Sequence, residues 1–349
     1  MLRQQKLVDS EHMNWEVIAN YLKQEINEIP DEPLEVVKFT EGYSNITYLL
    51  KFGDWEAILR RPPFGKIPPR AHDMKREYTI LSKLNPVFSP APKPYLYCED
   101  TNIMDKHFYV MERKDGLVID DKLPKEYGSS LEVGPTLSES MVKTLVQLQS
   151  IDYEKAGLGN FGKPEGYLER QVNGWIKRYH LSKTDDYLME ADIENWFRKH
   201  MPTQTEASIV HNDYKLNNVI FDKDEIGSII GVIDWELSTI GDPLTDFGSM
   251  VAYWGEKGDP DMGVTVVTDQ DGFYTRRELV EKYATLSGRD MTHITFYVAF
   301  GFYKLAVILQ QIYYRWKIGE VDDNRFSTLN EGISNLFDLT LSTINNEIL

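Results

Sequence analysis

The run His211-Asn212-Asp213-Tyr214-Lys215-Leu216-Asn217-Asn218 contains a His-x-Asp-x4-Asn skeleton and leads into the apolar stretch Val219-Ile220-Phe221. By average composition such a skeleton arises by accident in only a few per cent of chains this long. A second run, Gly231-Val232-Ile233-Asp234-Trp235-Glu236, is an apolar strand that ends on an aspartate, where a hairpin would return it beside Asn218. Together they suit phosphoryl transfer. That reaction asks little covalent chemistry of a protein. It asks that phosphates be held, their charge offset and the acceptor hydroxyl aimed in line. Magnesium takes oxygen ligands and accepts one or two from protein, with phosphates and waters completing its shell. Asn218 and Asp234 offer one neutral and one anionic ligand. Asp213 stands at the other end of the loop from Asn218, placed to accept or orient the proton of an incoming hydroxyl.

Several elements must position these groups. Residues 14–28 put Trp15, Ile18, Tyr21, Leu22 and Ile26 on one helical face, and Pro30 and Pro33 end that helix. EVVKFT, ITYLLKF and WEAILRR read as strands, with turns at Gly42 and Gly53-Asp54, in an antiparallel meander. The proline-rich PPFGKIPPR reads as a loop, HDMKREYTILSKL as a helix, and PYLYCED and KHFYVMER as two further strands. Five strands with one inserted helix make a small N-terminal lobe, residues 1–112. From 113 to 349 the pattern is mainly helical, with helices near 136–150, 165–180, 186–200, 276–286 and 291–317. The exception is 209–235, where short apolar runs alternate with polar turns. The expected fold class is therefore α+β, a small antiparallel-sheet N-lobe and a larger helical C-lobe.

Composition narrows the function. The net charge is −17, with 38 Lys+Arg against 55 Asp+Glu, which argues against a nucleic-acid partner. Residues 1–112 hold 14 basic and 17 acidic residues, a net of −3; the remainder hold 24 and 38, a net of −14. That excess suits solubility first, and a neutral or cationic acceptor second. Phe296–Tyr314 is the most apolar stretch, but Lys304 interrupts it, so it reads as a buried helix and no membrane partner is expected. The single cysteine, Cys98, allows no disulfide framework and no cysteine zinc site. The N-terminus lacks the continuous apolar core of a secretory signal. A cytoplasmic location follows as the expectation. No feature of the pattern specifies an oligomeric state.

The motifs resemble the aminoglycoside phosphotransferase and choline kinase-like family, a branch of the protein-kinase-like fold. The resemblance implies that His211 to Asn218 is the catalytic loop, with Asp213 the catalytic aspartate and Asn218 and Asp234 the Mg²⁺ ligands. Lys215 stands where protein kinases carry a phosphate-facing lysine. Ala57-Ile58-Leu59-Arg60 is similar to the strand whose cation meets the α- and β-phosphates, here an arginine, and Glu77 matches its glutamate partner. Glu41-Gly42-Tyr43-Ser44-Asn45 resembles the nucleotide-positioning loop, with Ser44 approaching phosphate. Adenine would lie against Met111, Glu112 and Arg113. Asp246, in GDPLTDFG, and His211 would support the loop from behind. LRRPPFGKIPP, HNDYKLNN and IDWELSTIGDPLTDFG are closest to a subgroup that also occurs fused to acyl-CoA dehydrogenase domains.

The resemblance thus implies a small-molecule kinase using ATP or GTP and Mg²⁺, whose partners are the triphosphate and a small hydroxyl acceptor. Hydroxyacyl-CoA is the first candidate acceptor, and the basic stretch Arg60, Arg61, Lys66, Arg70, Lys75 and Arg76 is read either as solvated charge or as a contact for nucleotide or CoA phosphates. An aminoglycoside or amino-sugar is the second candidate. The competing classes are a nucleotide-binding pseudokinase and a metal-dependent hydrolase.

Overall fold

The computed structural model describes residues 4–6 as backbone and residues 13–39, 45–64, 72–187 and 189–349 in full. The chain divides into two compact units, Met1–Gly116 with Ile230–Glu236, and Leu117–Ile229 with Leu237–Leu349. The first unit thus runs past the 112/113 division read from the sequence and takes in a short stretch from the second half.

The first unit is built on an antiparallel sheet. Its strands are β1 (Gln4–Lys6), β2 (Leu34–Phe39), β3 (Ile46–Phe52), β4 (Trp55–Arg61), β5 (Pro94–Cys98) and β6 (Phe108–Glu112), in the order β1-β2-β3-β4-β6-β5. The short strand β1, which pairs with β2, adds a sixth strand to the five read from the sequence. Successive side chains of a strand point to opposite faces. Ala57 and Leu59 of β4 therefore enter the core with Tyr48, Leu50 and Phe52 of β3 and with Ile18 and Leu22 of helix α1 (Trp15–Glu25). Arg60 faces the other way, and its register partner across β6 is Tyr109. Helix α2 (Met74–Leu84) is capped by Asp73, whose side chain accepts the Arg76 N–H at 3.0 Å. Its buried stripe is Met74, Glu77, Ile80, Leu81 and Leu84. The spacing that makes α2 amphipathic thus puts one carboxylate, Glu77, among apolar neighbours.

The second unit holds β7 (Leu117–Val118), α3 (Ser130–Gln149), α4 (Tyr167–Ser182), α5 (Glu190–His200), β8 (Ser208–Val210), β9 (Val219–Phe221), the strand β10 (Ile229–Val232) that leaves it for the first unit, β11 (Thr239–Gly241), and helices α6 (Pro243–Tyr253), α7 (Arg276–Ser287), α8 (Ile294–Lys317) and α9 (Leu329–Ile344). Helix α3 begins earlier than 136 and carries Pro135 in its second turn. The residue before a proline normally resists the helical conformation because its Cβ meets the ring. Here that residue is Gly134, which has no Cβ, and the bare position also lets the backbone of Gly272 and Phe273 pack against the helix.

Helices α6 and α9 were not expected from the sequence. Helix α8 is long and apolar enough to cross a membrane by length and composition, and 78% of its apolar window is buried inside the protein. It crosses α6 backbone to backbone. A Cβ on Gly248 would strike the carbonyl of Tyr297, and one on Gly301 the carbonyl of Gly248. Two glycines therefore set the closeness of this crossing.

Candidate active site

In the first unit, Arg60 is buried and its guanidinium is divided between two carboxylates. One amino group meets Glu77 and the other meets Asp234 Oδ1 at 3.2 Å. Asp234 reaches it because β10 ends there. The Val232 N–H donates to the Pro90 carbonyl at 2.8 Å, and the buried Trp235 indole packs edge-on against Phe88. Between them Asp234 takes a left-handed backbone, φ +68°. Non-glycine residues rarely adopt it, and such strain gathers at functional sites. Burial opposes the Arg60 charge, yet Glu77, then Tyr109 and Asp234, more than offset this and hold its pKa well above the ordinary value. Burial also pushes the Glu77 carboxyl up to about 7, against the pull of Arg60. The Nε of Arg60, Oε2 of Glu77 and the Tyr109 hydroxyl are buried with no hydrogen-bond partner among the described residues.

In the second unit, β8 delivers the catalytic-loop candidate. Asp246, buried in the first turn of α6, accepts the N–H of His211 at 2.5 Å and of Asn212 at 2.6 Å. Asn212 is also left-handed, φ +68°. Asp213, partly exposed, accepts from Lys215 on Oδ1 at 3.2 Å and from Asn218 Nδ2 on Oδ2 at 2.6 Å. The same Asn218 amide nitrogen reaches the Asp213 carbonyl at 2.8 Å. Both of its hydrogens are thereby engaged, and its carbonyl oxygen remains as a donor of lone pairs. Asp234 likewise has a second oxygen, Oδ2, besides the one that accepts from Arg60. These are hard oxygen donors of the kind Mg²⁺ takes, each able to supply one ligand. No group of three or more His, Cys, Asp or Glu suited to a metal occurs among the described residues.

Comparison with known proteins identifies the family. The model of the phosphotransferase enzyme family matches residues 35–279. The chain belongs to that family. Its curated relatives include acyl-CoA dehydrogenase family member 10 of Mus musculus, 32% identical over 87% of this chain and 29% of the relative. Another is acyl-CoA dehydrogenase family member 11 of Rattus norvegicus, 33% identical over 85% of this chain and 38% of the relative. The chain therefore spans about a third of the length of the curated relatives it matches. Among solved structures, a Ralstonia eutropha protein assigned to the aminoglycoside phosphotransferases is 28% identical, with TM-score 0.80 over 95% of this chain and 99% of that one. Choline kinase of Cryptosporidium parvum shares the fold at 14% identity, with TM-score 0.66 over 96% and 98%. The fold is the kinase-like α+β fold of these phosphotransferases.

The other residues singled out from the sequence have varied surroundings. Ser44 lies outside the described residues, as do Lys66 and Arg70. Met111 is buried in β6 opposite Ile58. Arg113 pairs with Glu56 and, at 3.1 Å, with Asp115, so carboxylates of its own unit already occupy it. Lys215 also stands over the ring of Tyr253, 4.8 Å from its centroid. The basic stretch is less solvated than expected, because Arg60 and Arg61 are buried and ion-paired, Arg61 with Asp105 at 2.9 Å.

Sequence reasoning missed the residues that hold Asn212. Lys304 Nζ donates to its carbonyl at 2.7 Å, the Tyr167 hydroxyl to its Oδ1 at 3.0 Å, and its Nδ2 to the Leu237 carbonyl at 2.9 Å. The available signal was the lysine itself, a charge inside an apolar helical run.

Proposed function

We propose that the chain is a small-molecule kinase that transfers the terminal phosphoryl group of ATP, or GTP, to a hydroxyl. What carries the reading is the loop from His211 to Asn218, with a carboxylate engaged on both oxygens above a backbone fixed by Asp246. Asp213 takes up or orients the proton of the acceptor hydroxyl, so that its oxygen is aimed in line with the phosphoryl group. Lys215 stands ready to exchange Asp213 for a phosphate oxygen. Arg60, aimed by Glu77 and Asp234, holds the remaining phosphates with a forked guanidinium. Asn218 and Asp234 would hold Mg²⁺, which when bound offsets charge on the phosphate oxygens. Relatives of the same fold support a nucleotide donor. One aminoglycoside phosphotransferase was solved with AMP-PNP and hygromycin B, and a spectinomycin phosphotransferase with ADP.

For the acceptor, a hydroxyacyl-CoA is the first candidate, supported by relatives that bear the name acyl-CoA dehydrogenase. An amino-sugar is the second, supported by the excess of acidic residues after 112. A coupled assay of ATP consumption with Mg²⁺ over hydroxyacyl-CoAs, sugars, amino alcohols and aminoglycosides decides between them. Turnover is expected with one class. Asp213→Asn should lower that rate about 10²- to 10⁴-fold while nucleotide binding, read by thermal shift, stays. A variant as active as the parent, or no acceptor-dependent turnover at all, would refute the kinase reading.

A further inference from the structure

Lys304 is buried in the middle of α8, where an ammonium is costly unless its hydrogen-bonding and charge are answered. Its Nζ donates to the Asn212 carbonyl at 2.7 Å and lies 5.7 Å from the centre of the Trp175 ring. Among the described residues it forms no ion pair. The charges that face it are Asp246 from α6, Asp213 and Lys215 from the loop, and Arg178 from α4. Burial lowers its pKa from the ordinary 10.5, with Asp246 and then Asp213 pulling the other way.

Its target is unusual. Asn212 has a left-handed backbone, and each of its polar groups is anchored. Its N–H goes to Asp246, its carbonyl to Lys304, its Oδ1 to Tyr167 and its Nδ2 to Leu237. The residue that follows is Asp213. Asp246 and Lys304 approach the same residue, one at the peptide before it and one at the peptide after it, because α6 and α8 cross at Gly248 and Gly301, a short step along each helix. A buried anion and a buried cation thus grip one residue of the loop through its N–H and its C=O.

We propose that Lys304 is a positioning residue for phosphoryl transfer. Its ammonium holds the strained Asn212 peptide that aims Asp213, and its positive charge, set against Asp246, is required for that hold. The proposal rests on the kinase reading for its consequence in catalysis and on the loop alone for its structural half.

The test uses the full chain with Lys304→Met, Lys304→Gln and Lys304→Arg. Turnover is measured with ATP and the acceptor found in the screen, or with water as acceptor. Hydrogen–deuterium exchange is followed over 208–218 and over α6 and α8. Lys304→Met and Lys304→Gln should lower kcat about 10- to 100-fold with little change in KM for ATP, and should speed exchange in 208–218 alone. Lys304→Arg, charged at all accessible pH, should keep most of kcat and move the alkaline fall in rate to higher pH.

A lysine whose pKa is lowered by folding gives stability that rises with pH between its lowered value and 10.5. In the parent, therefore, alkaline loss of rate should come without loss of Tm. Parent-like kcat in Lys304→Gln overturns the charge requirement. Unchanged loop exchange in Lys304→Met, or exchange quickened equally in α6 and α8, overturns positioning. If the parent turns over nothing, the kinase reading fails, and the exchange results still decide whether Lys304 holds the loop.

Discussion

The two units fix their functional charges by different means. In the first, side chains hold a side chain. Arg60 is shared by Glu77 and Asp234, and three buried polar atoms around it have no partner among the described residues. In the second, side chains hold backbone. Asp246 and Lys304 grip the backbone N–H and C=O of Asn212, the residue next to Asp213, whose own oxygens meet Lys215 and Asn218. A guanidinium has five donors and can redistribute them when a phosphate arrives, at the cost of a few torsions. A residue gripped through both of its flanking peptide groups has little freedom to rearrange. The first cluster is therefore suited to re-pairing around a ligand, and the second to keeping the Asp213 carboxylate in place before any ligand binds.

Four substitutions probe that contrast. Asp246→Ala should have the largest effect, about 3–5 kcal/mol in urea unfolding, because it leaves the N–H groups of His211 and Asn212 without their acceptor and removes the anion that faces the buried Lys304 ammonium. A loss under about 1 kcal/mol would mean the loop is held some other way. Glu77→Gln comes next, through pH. Burial raises the Glu77 carboxyl from 4.5 to about 7, so the folded state keeps its proton where the unfolded chain has lost it. That contribution is complete below 4.5 and is lost as pH rises through 7. At 1.36 kcal/mol per unit it amounts to about 3 kcal/mol. The stability difference between parent and variant should fall across this window, and a flat difference would show that the carboxyl is ionised throughout.

Gly301→Ala should cost about 1–3 kcal/mol, since the new methyl meets the Gly248 carbonyl and neither helix axis can retreat freely. A calorimetric Tm equal to the parent's would show the crossing to be looser than it looks. Arg60→Lys should act least on folding. It should raise KM for ATP about tenfold, the worth of one charge-assisted hydrogen bond, and an unchanged KM would remove Arg60 from phosphate binding.

Much of the first unit was legible in the sequence. Period-two alternation in ITYLLKF and WEAILRR, with Gly53 left-handed at the turn between them, specifies the hairpin that carries Arg60. The loop from His211 to Asn218 stood out as a candidate because phosphoryl transfer would restrict residue type at fixed spacing. Its supports did not, since Lys304 lies 92 residues and Tyr167 45 residues from Asn212. Helix α6 escaped because nearly every one of its residues is buried, which erases the polar face that periodicity needs. Helix α9 escaped for another reason. Thr340 and Thr343 occupy its buried stripe and hide their hydroxyls by donating to the carbonyls of Leu336 and Leu339 at 2.7 Å, so the stripe does not read as apolar.

The stretch 230–236 has a consequence for biogenesis. Val232 seals the Pro90 carbonyl, Trp235 covers Phe88, Asp234 balances Arg60, and Asn45 donates to Glu236 at 2.7 Å. During synthesis the first 116 residues therefore emerge without these partners, with Arg60 facing Glu77 alone, and stay so for more than a hundred further codons. These contacts form only by a non-local closure. A nascent chain stalled before Trp235 should be digested by protease far faster than one stalled well beyond it.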